Sequence, residues 1–334
     1  MINLLKFYPK TARLLATIDV SGTIFDPQGV DLKEMERLFL EQKPIRFYPP
    51  EKLSEGGFLL DTRTKKEQNA FTVQTLCWKK QGGKLIEEWV SGNEMNHLLR
   101  HTVHQTKADI FIPGGGRPRT LNESNIKEFL DESGIPSSRA IIEGANLYLT
   151  PFARRTLEEL NVLIIKDSSS NKGGVICSSF EVLCCLCLKP EEFLLEKPHL
   201  VKEILHTIGQ RALDEAKLLL STHKETQRYL TELSEEISLK INTYTYELLD
   251  YLQGISLPED RKDPLNKALL TYCLPTLRKK YEDRIFQEIP DIHKKAIIAC
   301  HIASRLVYKK GLSWSPRIVD ILPLIAHDPE IIGH

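Results

Sequence analysis

The sequence predicts an α/β fold in which part of a doubly wound parallel sheet is followed by an all-α carboxy-terminal domain. In the first half of the chain, short runs rich in β-branched residues alternate with helical patterns. Such alternation is typical of βαβ units, and right-handed crossovers between these units produce a doubly wound sheet. From about Glu191 onward, apolar residues recur at steps of three and four, which indicates helices.

Four segments are candidates for buried strands, because each is short, apolar and followed by glycine, serine or proline. They are residues 14–19, 108–113, 140–145 and 162–167. Two predicted helices separate the last three strands. The first covers residues 122–133 and has Asn122 as its cap. The second covers residues 151–160, with Thr150 as its cap and proline in its first position.

The chain divides into two predicted domains. Residues 1–188 are predicted to form a partial Rossmann-like domain, and residues 189–334 a helical domain. Residues 41–107 carry prolines and glycines among charged residues, and they are predicted to form an irregular insertion in the first domain. Periodic apolar patterns in the second domain cover residues 200–220, 229–252, 265–286 and 294–309.

Composition argues against several classes of protein. Lys plus Arg and Asp plus Glu both number 45, so no net charge attracts the chain to nucleic acid or to a membrane surface. The longest apolar stretch, residues 182–188, is too short to span a bilayer. The first six residues lack the apolar segment of a signal peptide. Seven cysteines, an odd number, predict free thiols in a reducing cytoplasm.

The turns that follow the strands are the candidate site, because ligands of an open parallel sheet bind beyond the carboxyl ends of its strands. Glycines let a ligand approach the backbone closely, and Gly115 and Gly116 follow the strand at 108–113. Asn146 follows the strand at 140–145 in the same way. Ordinary turn chemistry is the alternative explanation for any one of these turns.

Three polar residues are candidate ligand-binding residues, and each has a plain alternative. Asp19 ends a strand, where a carboxylate can accept hydrogen bonds from ribose hydroxyls, but it also suits a turn or cap. Asn171 offers an amide that suits a carboxamide, although an Asx turn or an N-cap would also use it. Ser178 lies near the start of a helix, where an anion can bind, but a helical serine is often a small packing or surface residue.

Two further spacings are those of metal ligands. Cys184 and Cys187 have a Cys-x-x-Cys spacing, but no second pair of ligands follows, so a buried helix of small residues is the better interpretation. His97, His101 and His104 recur at steps of four and three, which predicts one polar face of a helix. The sequence therefore predicts no metal site.

Together, the turn motifs resemble those of the large NAD-specific glutamate dehydrogenases. The match runs in order from about residue 13 to residue 188, and residues 294–312 also resemble the helical tail of that subclass. Residues 18–31 look like the second strand of the family and its acidic turn. The most specific motifs are Ala108-Asp109-Ile110-Phe111-Ile112-Pro113-Gly114-Gly115-Gly116-Arg117-Pro118, Ile142-Glu143-Gly144-Ala145-Asn146 and Lys166-Asp167-Ser168-Ser169-Ser170-Asn171-Lys172-Gly173-Gly174-Val175.

The resemblance implies NAD as the cofactor, with oxidative deamination of L-glutamate to 2-oxoglutarate and ammonium as the reaction. It also implies a role for each candidate residue. These roles are Asp19 at the adenosine ribose, Gly115 and Gly116 along the cofactor, Asn146 and Asn171 at the nicotinamide ribose and carboxamide, and Ser178 at the side-chain carboxylate of the substrate.

The sequence also departs from the family pattern. The family has a catalytic lysine in a glycine-rich loop and a catalytic aspartate after it, and neither motif is found here; Lys172 is not that lysine. A G-x-G-x-x-G fingerprint is absent as well. The resemblance therefore implies no catalytic residue in this chain. It predicts a C-terminal fragment or split-gene product that pairs with an upstream fragment of the same enzyme.

The complete enzyme is expected to form a homo-oligomer. Two other classes of function stay open at this point. One is a non-catalytic nucleotide-binding or regulatory subunit that kept only the cofactor half. The other is a degenerate relic, in which the α/β part is a scaffold for a helical interaction module.

Overall fold

A computed structural model describes residues 7–69, 72–328 and 331 of the chain. The chain divides into two compact units. Unit 1 is drawn from Met1–Phe111, Leu121–Ile141 and Leu149–Val162, and unit 2 from Ile112–Thr120, Ile142–Tyr148 and Leu163–His334. Within the described ranges, every helix is too short or too polar to cross a membrane.

Unit 1 contains a five-stranded antiparallel sheet with the strand order β1-β2-β3-β4-β5. The strands are β1 (Ala16–Asp19), β2 (Gly22–Phe25), β3 (Phe58–Asn69), β4 (Thr72–Gln81) and β5 (Lys84–Val90). Helix α1 (Leu32–Leu40) follows β2, and Asp31 caps it by accepting hydrogen bonds from two backbone amides of its first turn. Helices α2 (Gly92–Arg100) and α3 (Thr102–Gln105) follow β5.

The irregular insertion predicted for residues 41–107 is therefore wrong. Most of it forms β3, β4, β5 and the two helices that follow them. The two residues between β4 and β5 are Gly82 and Gly83, with φ of +59° and +74°. Two positive φ values in a two-residue loop are those of a type I′ hairpin turn, which glycine adopts without strain. The prediction of an irregular insertion rests partly on these glycines as breakers of regular structure, whereas here they form a hairpin turn.

The parallel strand predicted at residues 14–19 is wrong as well. Strand β1 pairs with β2 in antiparallel register, with Asp19 opposite Gly22. A parallel partner needs a crossover of a dozen or more residues, whereas only Val20 and Ser21 separate these two strands. Gly22 allows β3 to approach closely, since a Cβ atom there would lie 1.9 Å from the backbone oxygen of Leu60. These residues therefore form a hairpin of the antiparallel sheet.

The remaining three predicted strands form a second sheet with the order β6-β7-β8. They are β6 (Ala108–Phe111), β7 (Ser138–Ile142) and β8 (Leu163–Ile165). Strands β6 and β7 are parallel, with Ala108 opposite Ser138 and Phe111 opposite Ile141. The parallel sheet and the helical second half confirm the predicted α/β class.

The two helices predicted beside this sheet have different outcomes. Helix α4 (Pro151–Glu159) is confirmed, and the hydroxyl of Thr150 caps it by accepting a hydrogen bond from the amide of Ala153 at 3.2 Å. The helix predicted at 122–133 is reduced to a short 3₁₀ turn at Ile126–Phe129. Side chains at both ends bind the backbone locally, and such bonds compete with helical ones. Asn122 Oδ1 accepts from the amide of Ser124, and Asp131 Oδ1 from the amides of Ser133 and Ile135.

Unit 2 is mostly helical. Its helices are α5 (Asp167–Ser170), α6 (Gly173–Cys187), α7 (Pro190–Thr226), α8 (Leu230–Gln253), α9 (Pro264–Tyr272), α10 (Pro275–Lys280), α11 (Glu282–Glu288), α12 (Asp291–Lys310) and α13 (Ile318–His327). Three of the four predicted apolar patterns lie in α7, α8 and α12. The fourth, at 265–286, is divided into three helices, and Pro275 begins the second of them because its fixed φ suits a first helical position.

The core of unit 2 joins α6 to the helices that follow it. Ile176, Phe180 and Leu183 of α6 are buried in one hydrophobic cluster with residues of α7 to α13. Burial of these apolar side chains is the main force that holds such helices together. Helix α6 thus belongs to the same hydrophobic core as the helical tail, and the domain boundary predicted after residue 188 stays a prediction.

Candidate functional site

Three turns of unit 2 follow the parallel strands, and hydrogen bonds connect them. The amide of Arg119, in the turn after β6, donates to the carbonyl of Leu147, in the turn after β7, at 2.7 Å. The amide of Leu147 in turn donates to the Asp167 carboxylate at 2.8 Å, in the turn after β8. The Ser170 hydroxyl donates to the carbonyl of Glu143 at 2.6 Å. The sheet thus brings together the turns that the sequence predicted as the site.

The glycines of the first two turns serve different purposes. A Cβ atom at Gly116 would lie 3.0 Å from the ring of Tyr148, and its φ of +118° is in the region that favours glycine. A Cβ atom at Gly144 would lie 3.3 Å from the carbonyl oxygen of Pro113. Gly114 and Gly115 instead face open space, with no atom within 4 Å of a Cβ position. Gly116 and Gly144 therefore let the turns pack, whereas Gly115 leaves room for a ligand.

Two asparagines meet at the edge formed by these turns. The Asn171 side-chain nitrogen donates to the side-chain oxygen of Asn146 at 2.7 Å. This hydrogen bond uses one donor and one acceptor, so the Asn171 oxygen and the Asn146 nitrogen keep their capacity for other partners. The structure thus places together two residues that the sequence predicted separately.

The alternative role of Asn171 as an N-cap is not what the structure has. Helix α6 begins at Gly173 and its N-cap is Lys172, whose side chain makes no capping hydrogen bond to the described amides of the first turn. Asn171 instead ends α5, where its backbone amide donates to the carbonyl of Asp167 at 2.9 Å. Its side chain therefore points to Asn146 and not to the backbone of the next helix.

Asp167 orders the turn that carries Asn171. Its carboxylate is 9% exposed and accepts hydrogen bonds from the amides of Leu147 and Ser168, at 2.8 and 2.9 Å. Leu147 has a φ of +55°, a left-handed conformation that costs free energy for leucine unless its surroundings hold it. The carboxylate provides part of that hold. Asp167 is thus a structural member of the site.

Ser178 and Ser179 differ in their surroundings on α6. Ser178 is exposed, lies in the second turn of the helix, and donates to the carbonyl of Val175 at 3.1 Å. Ser179 is half-buried, and its hydroxyl bonds to the carbonyl of Ile176 at 2.8 Å and to the Tyr272 hydroxyl at 3.2 Å. The exposed position leaves Ser178 accessible to a ligand, and its role at a substrate carboxylate stays a prediction.

Asp19 lies in unit 1, and its carboxylate closes the hairpin between β1 and β2. One oxygen accepts from the amide and from the hydroxyl of Ser21, both at 2.6 Å. The other oxygen accepts from the amide of Ile45 at 3.0 Å. These hydrogen bonds are those of a turn aspartate, one of the two interpretations that the sequence left open. The role of Asp19 at a ribose stays a prediction, without the parallel strand on which it was based.

The cysteines and histidines with metal-like spacing are mainly packing residues. Burial raises the pKa of Cys184 to about 12 and that of Cys187 to about 11, so both thiols stay protonated at neutral pH. His104 is buried between the rings of Phe111 and Phe129, and burial lowers its pKa to about 4. Among the described residues, no group of three or more His, Cys, Asp or Glu side chains is arranged to hold a metal ion.

His104 also corrects the predicted histidine face. The rings of His97 and His101 lie 5.1 Å apart, and His101 Nδ1 bonds to the carboxylate of Glu128. His104 belongs to a different helix, α3, and is only 2% exposed. The three histidines therefore do not form one polar helix face, because the helix is interrupted at His101, between α2 and α3.

A buried charge beside the site was missed in the sequence. Glu215 of α7 is 2% exposed, and its Oε2 pairs with the Lys172 ammonium. The Tyr308 hydroxyl of α12 donates to the same oxygen at 2.8 Å. Burial and this carboxylate raise the pKa of Tyr308, which therefore stays a donor. The available signal was a glutamate on the apolar face of α7, in step with Leu218 and Leu219.

Parallel strands whose carboxyl-end turns carry glycines and amides define an α/β protein with a candidate ligand site at its sheet edge. The chain belongs to the Glutamate/Leucine/Phenylalanine/Valine dehydrogenase family, whose model matches residues 2–225. The match includes all the turns described above and confirms the family resemblance of the motifs.

Several known proteins are similar to this chain. It is 32% identical to "Glutamate dehydrogenase 2" of Dictyostelium discoideum, over 90% of this chain and 28% of that protein. It is 31% identical to "Probable NAD-specific glutamate dehydrogenase" of Schizosaccharomyces pombe, over 91% of this chain and 27% of that protein. It is 28% identical to "NAD-specific glutamate dehydrogenase" of Saccharomyces cerevisiae, over 89% of this chain and 27% of that protein. The chain thus spans little more than a quarter of the length of these relatives.

Proposed function

We propose that this chain supplies the nicotinamide side of the cofactor site in an NAD-dependent glutamate dehydrogenase, which converts L-glutamate to 2-oxoglutarate and ammonium. The observation that carries the proposal is the contact between the amides of Asn146 and Asn171 at the carboxyl edge of the parallel strands. The names of the similar proteins supply the cofactor and the substrate.

The residues at this edge fit a nicotinamide nucleotide. The NH2 of a carboxamide can donate to the remaining oxygen of Asn171, and a ribose hydroxyl can accept from the remaining nitrogen of Asn146. Asn171 would hold the carboxamide and Asn146 the ribose. Open space at Gly114 and Gly115 allows the cofactor to lie along the backbone. When bound, NAD accepts the hydride that glutamate loses.

Ser178 would hold the substrate. It lies five residues after the start of α6 and is exposed. The start of a helix favours negative charge, because its first amides have no partner within the helix. A hydroxyl close to that end can therefore donate to the side-chain carboxylate of glutamate. Under this proposal, the substrate and the nicotinamide would lie at the two ends of the segment between Asn171 and Ser178.

The charged side chains of residues 167–178 are already committed to other partners. Lys172 pairs with Glu215, and Asp167 accepts from two backbone amides. Deprotonation of an amine and polarisation of the developing carbonyl need a free base and a free cation. This observation favours a second candidate function, that of a nucleotide-binding subunit without catalysis of its own. Both candidates require the amide pair to bind NAD.

The test is binding of NADH to the full chain, followed by fluorescence titration. Replacement Asn171→Ala removes the carboxamide partner and should weaken NADH binding about tenfold, the effect of losing one or two hydrogen bonds. The control is Asn93→Ala, which changes an exposed asparagine of α2 and should leave the affinity unchanged. Equal affinities of the wild-type and Asn171→Ala chains, or no binding by the wild-type chain, would contradict the proposal.

A further inference from the structure

The carboxylate of Glu215 depends on two groups from distant parts of the chain. Its Oε2 pairs with the ammonium of Lys172, which lies between α5 and α6. The same oxygen accepts a hydrogen bond at 2.8 Å from the hydroxyl of Tyr308, near the end of α12. Its Oε1 is buried and has no hydrogen-bond partner among the described residues. A buried carboxylate is costly unless it is paired. The pairing with Lys172 and Tyr308 therefore maintains Glu215 as a buried charge.

The geometry at Lys172 fixes the course of the chain beside the amide pair. Lys172 directly follows Asn171 and directly precedes Gly173, the first residue of α6. A Cβ atom at Gly173 would touch Ile208 of α7 at 3.9 Å, so this point of the chain lies against the helix that carries Glu215. With its ammonium held by Glu215, the backbone at Lys172 can move only as far as its flexible side chain allows before the ion pair breaks. The direction of the neighbouring Asn171 side chain is restricted in consequence.

We infer that Lys172 is a positioning residue for Asn171, and that Glu215 and Tyr308 hold it in place. The inference rests on the proposed function, since it explains how the Asn171 amide is kept against Asn146 for the nicotinamide. It also gives the tail a part in the site. Tyr308 lies outside residues 2–225, the range that the family model matches, whereas Lys172 and Glu215 lie inside it.

The first measurement is hydrogen exchange of the backbone over residues 167–178 in the full chain without cofactor. Variants Lys172→Met and Tyr308→Phe should each accelerate exchange in this segment about tenfold, because local opening becomes easier. Lys172→Arg should restore most of the protection, since it keeps the charge. The controls Lys217→Met and Tyr246→Phe change exposed residues of α7 and α8, and they should leave the segment as in the wild type.

A double variant separates positioning from stability. Lys172→Met alone leaves an unpaired buried charge, which lowers the melting temperature. Lys172→Met combined with Glu215→Gln removes that charge, so the melting temperature should recover. Exchange over residues 167–178 should nevertheless stay fast, because no ammonium holds the segment. Recovery of both the melting temperature and the slow exchange in the double variant would assign the Lys172–Glu215 pair a merely structural role and overturn the inference.

NADH titration of the same variants connects the segment to the cofactor. The double variant should bind NADH about tenfold more weakly than the wild type, and Lys172→Arg should bind it nearly as well. Wild-type exchange rates in both Lys172→Met and Tyr308→Phe would overturn the inference. Absence of NADH binding by the wild-type chain would contradict the proposed function alone, since the exchange measurement needs no cofactor.

Discussion

Asp19 and Asp167 are both aspartates at strand ends, yet the structure uses them differently. Asp167 accepts from the amides of Leu147 and Ser168 and so connects two turns of the candidate site. Asp19 accepts from Ser21 and Ile45 and closes a hairpin of the antiparallel sheet. The sequence predicted a ribose ligand at Asp19, whereas Asp167 was only part of a family motif and had no predicted role. Hydrogen bonds to distant amides decide the difference, and these are invisible in a single sequence.

The first prediction concerns Asp19→Ala, which removes the acceptor of three hydrogen bonds. Two buried amides and one hydroxyl would lose their partner, so the free energy of unfolding should fall by about 1–3 kcal/mol. The measurement is denaturant unfolding of the variant and the wild type, with Asp250→Ala on exposed α8 surface as the control. The ratio of NAD to NADP affinity should stay unchanged. A relaxed preference for NAD would instead identify Asp19 as the ribose ligand.

Sequence motifs predicted Asn146, Asn171 and the glycine turns, because these residues follow strands at short, regular distances. They could not predict the role of Glu215, because its partner Tyr308 is 93 residues away and meets it only through the packing of α7 and α12. A charged residue on an apolar helix face does indicate a buried ion pair or hydrogen bond, but it does not identify the partner residue. Long-range polar pairs are thus the part of a site that a single sequence reveals least.

Among the elements, α3 and the 3₁₀ turn at Ile126–Phe129 show how a titratable group can be part of a core. His104 of α3 lies edge-on to the ring of Phe111 at 5.8 Å and near the ring of Phe129 at 6.4 Å. Burial disfavours the imidazolium, and it lowers the pKa of His104 from 6.5 to about 4. These elements therefore pack around a neutral imidazole.

The second prediction is that acid destabilises this packing. Between pH 6.5 and about 4, the unfolded chain binds a proton at His104 that the folded chain does not bind. Stability is therefore present above pH 6.5 and is lost as the pH falls toward 4, by about 3 kcal/mol at most. Unfolding measured from pH 7 to pH 4 should show a smaller loss in His104→Gln than in the wild type. His206→Gln, an exposed control, should keep the wild-type loss, and an equal loss in all three chains would contradict the assignment.

The elements were predicted best where apolar periodicity is strong and worst where polar side chains dominate. Helices α7, α8 and α12 and the three parallel strands follow their apolar patterns. Strand β3 includes the polar run at residues 62–69, which has no apolar alternation to reveal it. The helix predicted at 122–133 failed for the opposite reason. Its pattern is present, but Asn122 and Asp131 bind the local backbone and outcompete the helix.

At the scale of the whole molecule, the family model matches residues 2–225, and the chain covers a minor part of the length of its large relatives. The family model ends at residue 225, one residue before the end of α7. The similarity to the large relatives extends over about nine tenths of the chain and therefore includes much of the helical tail. Much of the tail is thus shared with these relatives.

The third prediction is that a polypeptide of these 334 residues does not oxidise glutamate by itself. Lys172 and Asp167 are committed to other partners, so the segment around Asn171 offers no free base or cation for the reaction. NADH absorbance should stay at the blank rate with glutamate and NAD, even where NADH binding is measurable. Turnover that is abolished by Asn171→Ala would show that the catalytic groups are present and have been overlooked.

The bond between Tyr308 and Glu215 also limits how these sequences can be recombined. A chimera that joins residues 1–226 to the tail of another relative must bring a hydroxyl to Glu215 Oε2, at the place that Tyr308 occupies. Otherwise Glu215 must be exchanged for an uncharged residue at the same time. Glu215 and Tyr308 are therefore expected to be inherited together, because a substitution of one leaves the hydrogen-bonding group of the other without its partner.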